Sequence, residues 1–590
     1  MYEVKDFTFT EMLEKSGSLY ADRPALAMVG AQPLKYADLK PATRKVAAAL
    51  LAWGVKKGDK VAIFAENSPH WGVAYLGASR IGAVLVPILT DFIAEQVGNI
   101  IRHSETSVVL CSQKLLPKLR DVEGPRVILD IADLSCIRTA EGVLAPVLDP
   151  AGSVVLDSAL MARTDTAIQD AAIKKDDIAM IVYTSGTTGL SKGVMLSHGN
   201  IVSNAVACKS IIILRRTDRL LSILPLAHTY EFTIGFVIPL LMGSFISYLD
   251  RPPSASALLP ALKVVRPTIM LSVPMVIEKV YRASVKPTLE GMKAYSNPLL
   301  KPLLIKFAGI KLKKTFGGKL RFFGVGGAPL SADVEEFLKK AGFPYAIGYG
   351  LTETSPLIAG SSPAKTRLRA TGPALAGVSL RISDPKPGSK EGEIQAKGPN
   401  VFKGYFKDSA RTAEAFSADG WFRTGDLGYI DSKKRIFVRG RIKTMILGAS
   451  GENIYPEEIE AVINGSPFVA ESLVYDDGGE LTALVYLKSE VLEGLEARVR
   501  DSLEEAGDAA SKIGQAITGV EKVAVEKIGQ AMSDVEKMIS ATLEKIRKEA
   551  NERLASFSRI RKVKIQKEPF EKTPTQKIKR FLYPKETQKI

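Results

Sequence analysis

An α/β fold in two domains is predicted from three observations. The chain has 590 residues, too many for one hydrophobic core. Short, uninterrupted apolar runs alternate with helical patterns as far as residue 440. Beyond that point the pattern changes to a small α+β arrangement interrupted by a long helical stretch. The expected architecture is therefore a large N-terminal domain, 1–442, of mostly parallel sheets layered with helices. A small, mobile C-terminal domain, 443–590, follows it.

The elements justify this in order. Runs at 61–65, 84–87, 108–111, 178–183, 222–224 and 346–349 are apolar without alternation, as strands covered on both faces are. Helical patterns such as 37–53 and 332–341 lie between them. Segments 377–385 and 391–397 read as a distorted antiparallel region. Past the charged cluster Arg439, Arg441 and Lys443, a helix at 456–464 and strands at 470–475 and 482–487 form the small domain. Gly440 is a candidate hinge point. Residues 489–556 keep three- and four-residue apolar spacing well past a typical helix and contain a repeat, KIGQAITGVEK at 512–522 and KIGQAMSDVEK at 527–537. This insert is read as a helical hairpin or docked helix. Its lack of Trp and Phe argues against a membrane-surface helix.

The net charge of +16 admits nucleic acid, a membrane surface or anionic small molecules as partners. It is concentrated at 301–321 and 559–589, with no basic–aromatic interleaving, which disfavours nucleic acid. Cys111, Cys136 and Cys208 have neither metal-ligand spacing nor a disulfide framework, so a cytoplasmic protein is expected. Residues 232–249 run 18 positions without a charge, yet contain Pro239 and two glycines. A buried helix followed by a strand is the expected reading, rather than a membrane span.

Chemistry concentrates in polar clusters at strand ends. YTSGTTGLSKGV at 183–194 holds five Ser/Thr hydroxyls, three glycines and Lys192, all able to face phosphate. It is no Walker loop, because Gly193 and Val194 follow the lysine. GYGLTETSP at 348–356 offers an aromatic face and, in Glu353, a Mg²⁺ ligand. GVGGAPL at 324–330 suits close backbone approach, and Asp426 in WFRTGD could accept from ribose hydroxyls. Arg441 offers a planar fork, and Lys577 lies in a basic tail, TPTQKIKR. Taken singly, each of these also fits an ordinary surface turn.

In this order the segments resemble the adenylate-forming (AMP-binding) superfamily. LPLAHTYEF at 224–232, RPTIMLSVPMVIEKVY at 266–281 and FEKTPTQKIKR at 570–580 look most like long-chain fatty acyl-CoA synthetases. The resemblance implies ATP-dependent activation of a medium- or long-chain fatty acid to an acyl-adenylate, then to acyl-CoA, with AMP and pyrophosphate released. ATP, Mg²⁺ and coenzyme A are the implied cofactor and co-substrates. It implies that Thr184, Ser185, Gly186, Thr187, Thr188, Gly189 and Lys192 wrap the phosphates. Thr184 and Glu353 match the Mg²⁺ positions; Gly327, Ala328, Tyr349, Gly350 and Thr352 match the nucleotide pocket. Asp426 and Arg441 match ribose contacts, Lys443 the hinge, His228 a position beside the acyl carboxylate, and Lys577 the lysine bridging carboxylate and α-phosphate. Lys577, His228 and Glu353 are thus the expected catalytic residues.

Three positions depart from the family pattern: Ser191 and Gln576 replace proline and glycine, and Met275 replaces an arginine. The alternatives are an acyl carrier protein as thiol acceptor, another carboxylic acid as substrate, or a non-catalytic membrane-associated scaffold. Contact with a membrane or an oligomer partner is expected to run through 489–556.

Overall fold

The computed structural model describes residues 2–184, 192–385, 389–447, 453–494, 537–573 and 577–583. The chain divides into two compact units. The first comprises Met1–Thr424 and Gly428–Val438, the second Gly425–Leu427 and Arg439–Ile590.

Two large sheets organise the first unit. One has eight strands in the order Leu357–Gly360, Tyr345–Gly350, Phe322–Val325, Ile269–Ser272, Arg219–Ser222, Phe245–Tyr248, Pro24–Met28, Leu34–Lys35. The other has seven: Cys136–Thr139, Val127–Asp130, Thr106–Cys111, Lys60–Phe64, Val84–Pro87, Ile178–Thr184, Lys192–Ser197. Inner pairs are parallel, and the outermost pair at each end is antiparallel. The inner strands are buried on both faces, which is why they read as continuous apolar runs. A four-stranded sheet follows, in the order Ser379–Ser383, Gly392–Lys397, Phe422–Ile430, Ile436–Arg441, and its first pair is antiparallel as expected.

Helices start where caps allow. Ser68 accepts from the Trp71 amide before Pro69–Arg80, and Thr8 accepts from the Glu11 amide before Phe9–Leu19. The expected strand at 222–224 instead spans Arg219–Ser222. Its partner Phe245–Tyr248 pairs only up to Ser222. From there Asn67 takes over the backbone, donating to the Leu224 carbonyl at 2.6 Å and accepting from the Leu226 amide at 2.8 Å. The apolar run 232–249 resolves into a π-helical segment Glu231–Val237, a helix Ile238–Met242 and a strand Phe245–Tyr248. Among the described residues no helix is long and apolar enough to cross a membrane.

The second unit packs helix Pro456–Ile463 on a sheet in the order Val469–Asp477, Glu480–Leu487, Lys562–Gln566. Of the helical insert, 495–536 lies outside the described residues, and with it both repeat copies apart from Lys537. The helical residues 537–551 pack into this unit's own core through Ile546 and Ala550, beside Ile459, Ile463 and Val485.

Candidate active site

Two of the polar clusters of the first unit occupy antiparallel edges of its two large sheets. At one edge, strands Ile178–Thr184 and Lys192–Ser197 form a hairpin in which Thr184 is directly opposite Lys192. Ser185, Gly186, Thr187, Thr188 and Gly189, all expected at the phosphates, lie between them and outside the described residues. At the other edge, strands Tyr345–Gly350 and Leu357–Gly360 bracket the turn Thr352–Thr354 that carries Glu353.

Tyr405 joins the two edges. Residues 403–406 add to the edge of Lys192–Ser197: the Met195 amide donates to the Gly404 carbonyl, Lys403 to Met195 and Phe406 to Gly193, at 2.7–3.0 Å. This places the Tyr405 ring 5.0 Å from the Lys192 ammonium, while its hydroxyl donates to Glu353 Oε1 at 2.9 Å. Burial, then the Glu353 carboxylate, push the Tyr405 phenol above its ordinary pKa, so it stays a donor.

Buried amides secure the Glu353 turn. The Asn400 side chain donates to the carbonyls of Thr354 and Leu357 at 2.8 and 3.0 Å. Asn204 donates to the Leu357 carbonyl at 2.6 Å and accepts from its amide at 3.2 Å. The Phe402 amide donates to the Glu353 carbonyl at 2.8 Å. At Gly350 a Cβ would run into the Pro356 carbonyl, so only glycine permits this return of the chain.

Glu353 Oε2 takes no hydrogen bond among the described residues, and Thr184 ends its strand, the last described residue before 192. No group of three or more acidic, His or Cys side chains is arranged to hold a metal ion among the described residues. One carboxylate and one hydroxyl without a protein cage suit Mg²⁺, which completes its shell with substrate phosphates and water.

Gly327 and Ala328 are exposed at the end of strand Phe322–Val325, with Gly327 at φ +86°. The neighbouring glycines serve a side chain: a Cβ at Gly324 would lie 2.9 Å from the Tyr230 hydroxyl, and one at Gly326 3.1 Å from its ring. Tyr349 is buried in the large core. His228 is half-buried, and its Nδ1 accepts from the Tyr230 amide at 3.3 Å. Beside Tyr230 lies a small apolar cavity, with room for about one water, lined by Ile211, Ile234, Leu271, Phe322 and Ile347.

In the second unit, Asp426 and Arg441 form one ion pair of 2.9 Å. Lys443 is exposed in the turn Ile442–Thr444. Lys577 is exposed on a hairpin whose stem is closed by the Thr573 amide on the Lys577 carbonyl, 2.7 Å, and the Lys579 amide on the Glu571 carbonyl, 2.8 Å. Phe570 anchors that stem among Leu473 and Leu484, and Arg580 pairs with Glu460.

Sequence reading missed Tyr405, Tyr230, Asn204 and Asn400. One signal was available: Asn200 and Asn204 stand one helical turn apart on the buried face of His198–Ala207. Polar residues at core-facing positions imply a specific partner. Nothing comparable marks Tyr405, whose role depends on chain segments far apart in sequence.

A family model described as AMP-binding enzyme matches residues 13–406. Long-chain-fatty-acid–CoA ligase FadD15 of Mycobacterium bovis is 30% identical over 91% of this chain and 88% of its own. Long chain acyl-CoA synthetase 6, peroxisomal, of Arabidopsis thaliana is 29% identical over 78% of this chain and 69% of its own. Among solved structures, ATP-bound MatB from Rhodopseudomonas palustris aligns with a TM-score of 0.67 at 26% identity, covering 97% of each chain.

Proposed function

The chain belongs to the AMP-binding enzymes, and from that premise we propose that it is an acid–thiol ligase acting on a medium- or long-chain fatty acid. The observation that carries the proposal is the meeting of Lys192, Tyr405 and Glu353 at two sheet edges, where Lys192 directly follows a hydroxyl- and glycine-rich sequence. The long-chain ligases among its relatives support the acyl substrate, and the ATP-bound neighbour supports the nucleotide.

In the first step a carboxylate oxygen of the acid attacks the α-phosphorus of ATP, and the bond to the pyrophosphate oxygen breaks. In the second, a thiolate attacks the acyl carbonyl and AMP leaves with the electron pair of the C–O bond. Coenzyme A is the proposed thiol. Both reactants of the first step are anions, so the site must supply positive charge where charge builds up. Lys192 and the loop amides of 184–192 would hold the β- and γ-phosphates, and Lys577 would bridge the carboxylate and the α-phosphate. Mg²⁺, held by Glu353 and Thr184, would neutralise phosphate charge. Tyr405 keeps Glu353 aimed and its own ring beside the lysine. Gly327, Ala328, Tyr349, Gly350 and Thr352 are assigned to the adenine side, Asp426 and Arg441 to the ribose, and His228 to the acyl carboxylate. Residues 1–442 would bind nucleotide and acid, with 443–590 as a lid turning at Lys443. A cytoplasmic location is part of this reading, and 489–556 is assigned to partner contacts outside the chemistry.

The test is pyrophosphate release over straight-chain acids of increasing length, with coenzyme A, with holo acyl carrier protein, or with neither. Acid-dependent release rising toward long chains, and acyl-CoA formed only with coenzyme A, is the expected result. Release that ignores the acid would overturn the proposal. Transfer to carrier protein alone would move the acceptor assignment.

A further inference from the structure

Helix Lys301–Thr315 is apolar on two opposite faces. Ile305, Gly309 and Leu312 face inward, and the fit there is close: at Gly309 a Cβ would strike the Ala341 carbonyl. Ile305 and Leu312 join the core cluster of Phe316, Phe337 and Leu338. On the outer face stand Leu303, Phe307 and Ile310, which are 52%, 59% and 64% exposed. They recur at four- and three-residue steps, about half a turn from the buried set, so they point directly away from the protein. Leu299, on the approach to the helix, is 88% exposed.

Lysines border this ridge on both sides. Lys306 and Lys313 flank one side, Lys311 the other, and Lys314 continues the ridge itself. Residues 301–321 contain seven basic and no acidic side chains. Among the described residues none of Lys306, Lys311, Lys313, Lys314 and Lys319 pairs with a carboxylate. Ordinary surface helices interleave both signs and hide their apolar stripe. Here the stripe with its one aromatic faces outward and the charge is of a single sign.

We propose that this helix is an interfacial anchor that lies flat on an anionic lipid bilayer, with Leu303, Phe307 and Ile310 in the acyl boundary and the flanking lysines at the headgroups. A second copy of the chain is a poor occupant. A two-fold contact would place this same face on itself, lysine against lysine, with no carboxylate in 301–321 to offset the repulsion. The face is also a convex ridge, whereas peptide partners dock in grooves. A membrane surface offers both the apolar depth and the negative charge.

The test uses the full chain in vesicle co-sedimentation, with phosphatidylcholine alone or mixed with phosphatidylglycerol, at low and high salt. Binding to the mixed vesicles that weakens with salt is expected. Two variants act on separate components: Leu303→Ser/Phe307→Ser/Ile310→Ser removes the insertion, and Lys306→Glu/Lys311→Glu/Lys314→Glu reverses the charge. Each should weaken binding at least about tenfold while circular dichroism and Tm stay unchanged, since all six side chains point to solvent. No binding by the unaltered chain, undiminished binding by either variant, or equal binding to neutral vesicles would overturn the proposal. So would a dimer, seen by sedimentation velocity, that the serine variant dissolves.

Discussion

Glu353 in the first unit and Lys577 in the second are held by opposite means. Glu353 stands on a turn whose backbone is tied by the neutral amides of Asn204 and Asn400 and whose carboxylate is gripped by Tyr405. Lys577 stands on a hairpin fixed at its stem, by a small cluster around Phe570 and by the ion pairs of Arg580 with Glu460 and Lys572 with Glu471. Neutral amides in a dry core set position to a fraction of an ångström. Lys577 belongs to that stem: its amide donates to the Thr573 hydroxyl and its carbonyl accepts from the Thr573 amide, while its side chain is exposed. The difference sets a turn held inside one core against an exposed lysine on a surface hairpin, and it bears on the proposal that phosphate-side groups are preorganised while the lysine is delivered.

The largest effect that tests this contrast is expected at the delivered residue. Lys577→Ala should lower acyl-adenylate formation about a thousandfold, since it removes a charge acting in the transition state. Thioester formation from a synthetic acyl-adenylate should change by only a few fold. Single-turnover assays of each half-reaction separate the two, and an equal loss in both would erase the division. Next, Glu353→Gln should cost about a hundredfold in kcat and raise the Mg²⁺ needed for half-maximal rate. Unchanged Mg²⁺ dependence would remove Glu353 from the metal. A smaller loss, about tenfold, is expected for Tyr405→Phe, with the Mg²⁺ requirement shifting in the same direction.

Buried carboxyls sharpen the same comparison. Glu460 is buried against Arg580, whereas Glu231 is buried with no hydrogen-bond partner for its Oε2 among the described residues. Burial pushes the Glu231 carboxyl from 4.5 up to about 8. Over that window the folded protein keeps a proton that the unfolded chain releases. Stability should therefore fall as pH rises from 4.5 toward 8 and level off above it, a span of several kcal/mol at most. Glu231→Gln should flatten this slope and raise Tm at alkaline pH relative to the unaltered chain. The slope surviving in the variant would assign it elsewhere. Glu460→Gln should instead lower Tm, with about 1–3 kcal/mol of lost stability, because it leaves Arg580 only its longer ion pair with Glu457 at 3.8 Å.

How much of this was legible in the sequence depended on range. The inner strands were readable because burial on both faces leaves an unbroken apolar run, as at Val84–Pro87. The end of strand Arg219–Ser222 was not, because the apolar run continues to Leu226 while the partner strand stops. The antiparallel edges were invisible, since a parallel and an antiparallel strand share one local pattern. The two-faced helix Lys301–Thr315 read only as basic, because its inner and outer apolar sets together look like no stripe at all.

By itself, the amino-acid order determined the fold class, the family and the polar clusters, since these rest on short-range patterning and on residue types that chemistry requires. Tertiary structure alone decided that Lys192 and Glu353 share Tyr405, that Asp426 pairs with Arg441, and that the glycines at 324 and 326 make room for a tyrosine. Those contacts join positions tens to hundreds of residues apart, and local propensity carries no record of which distant side chain a folded sheet brings alongside.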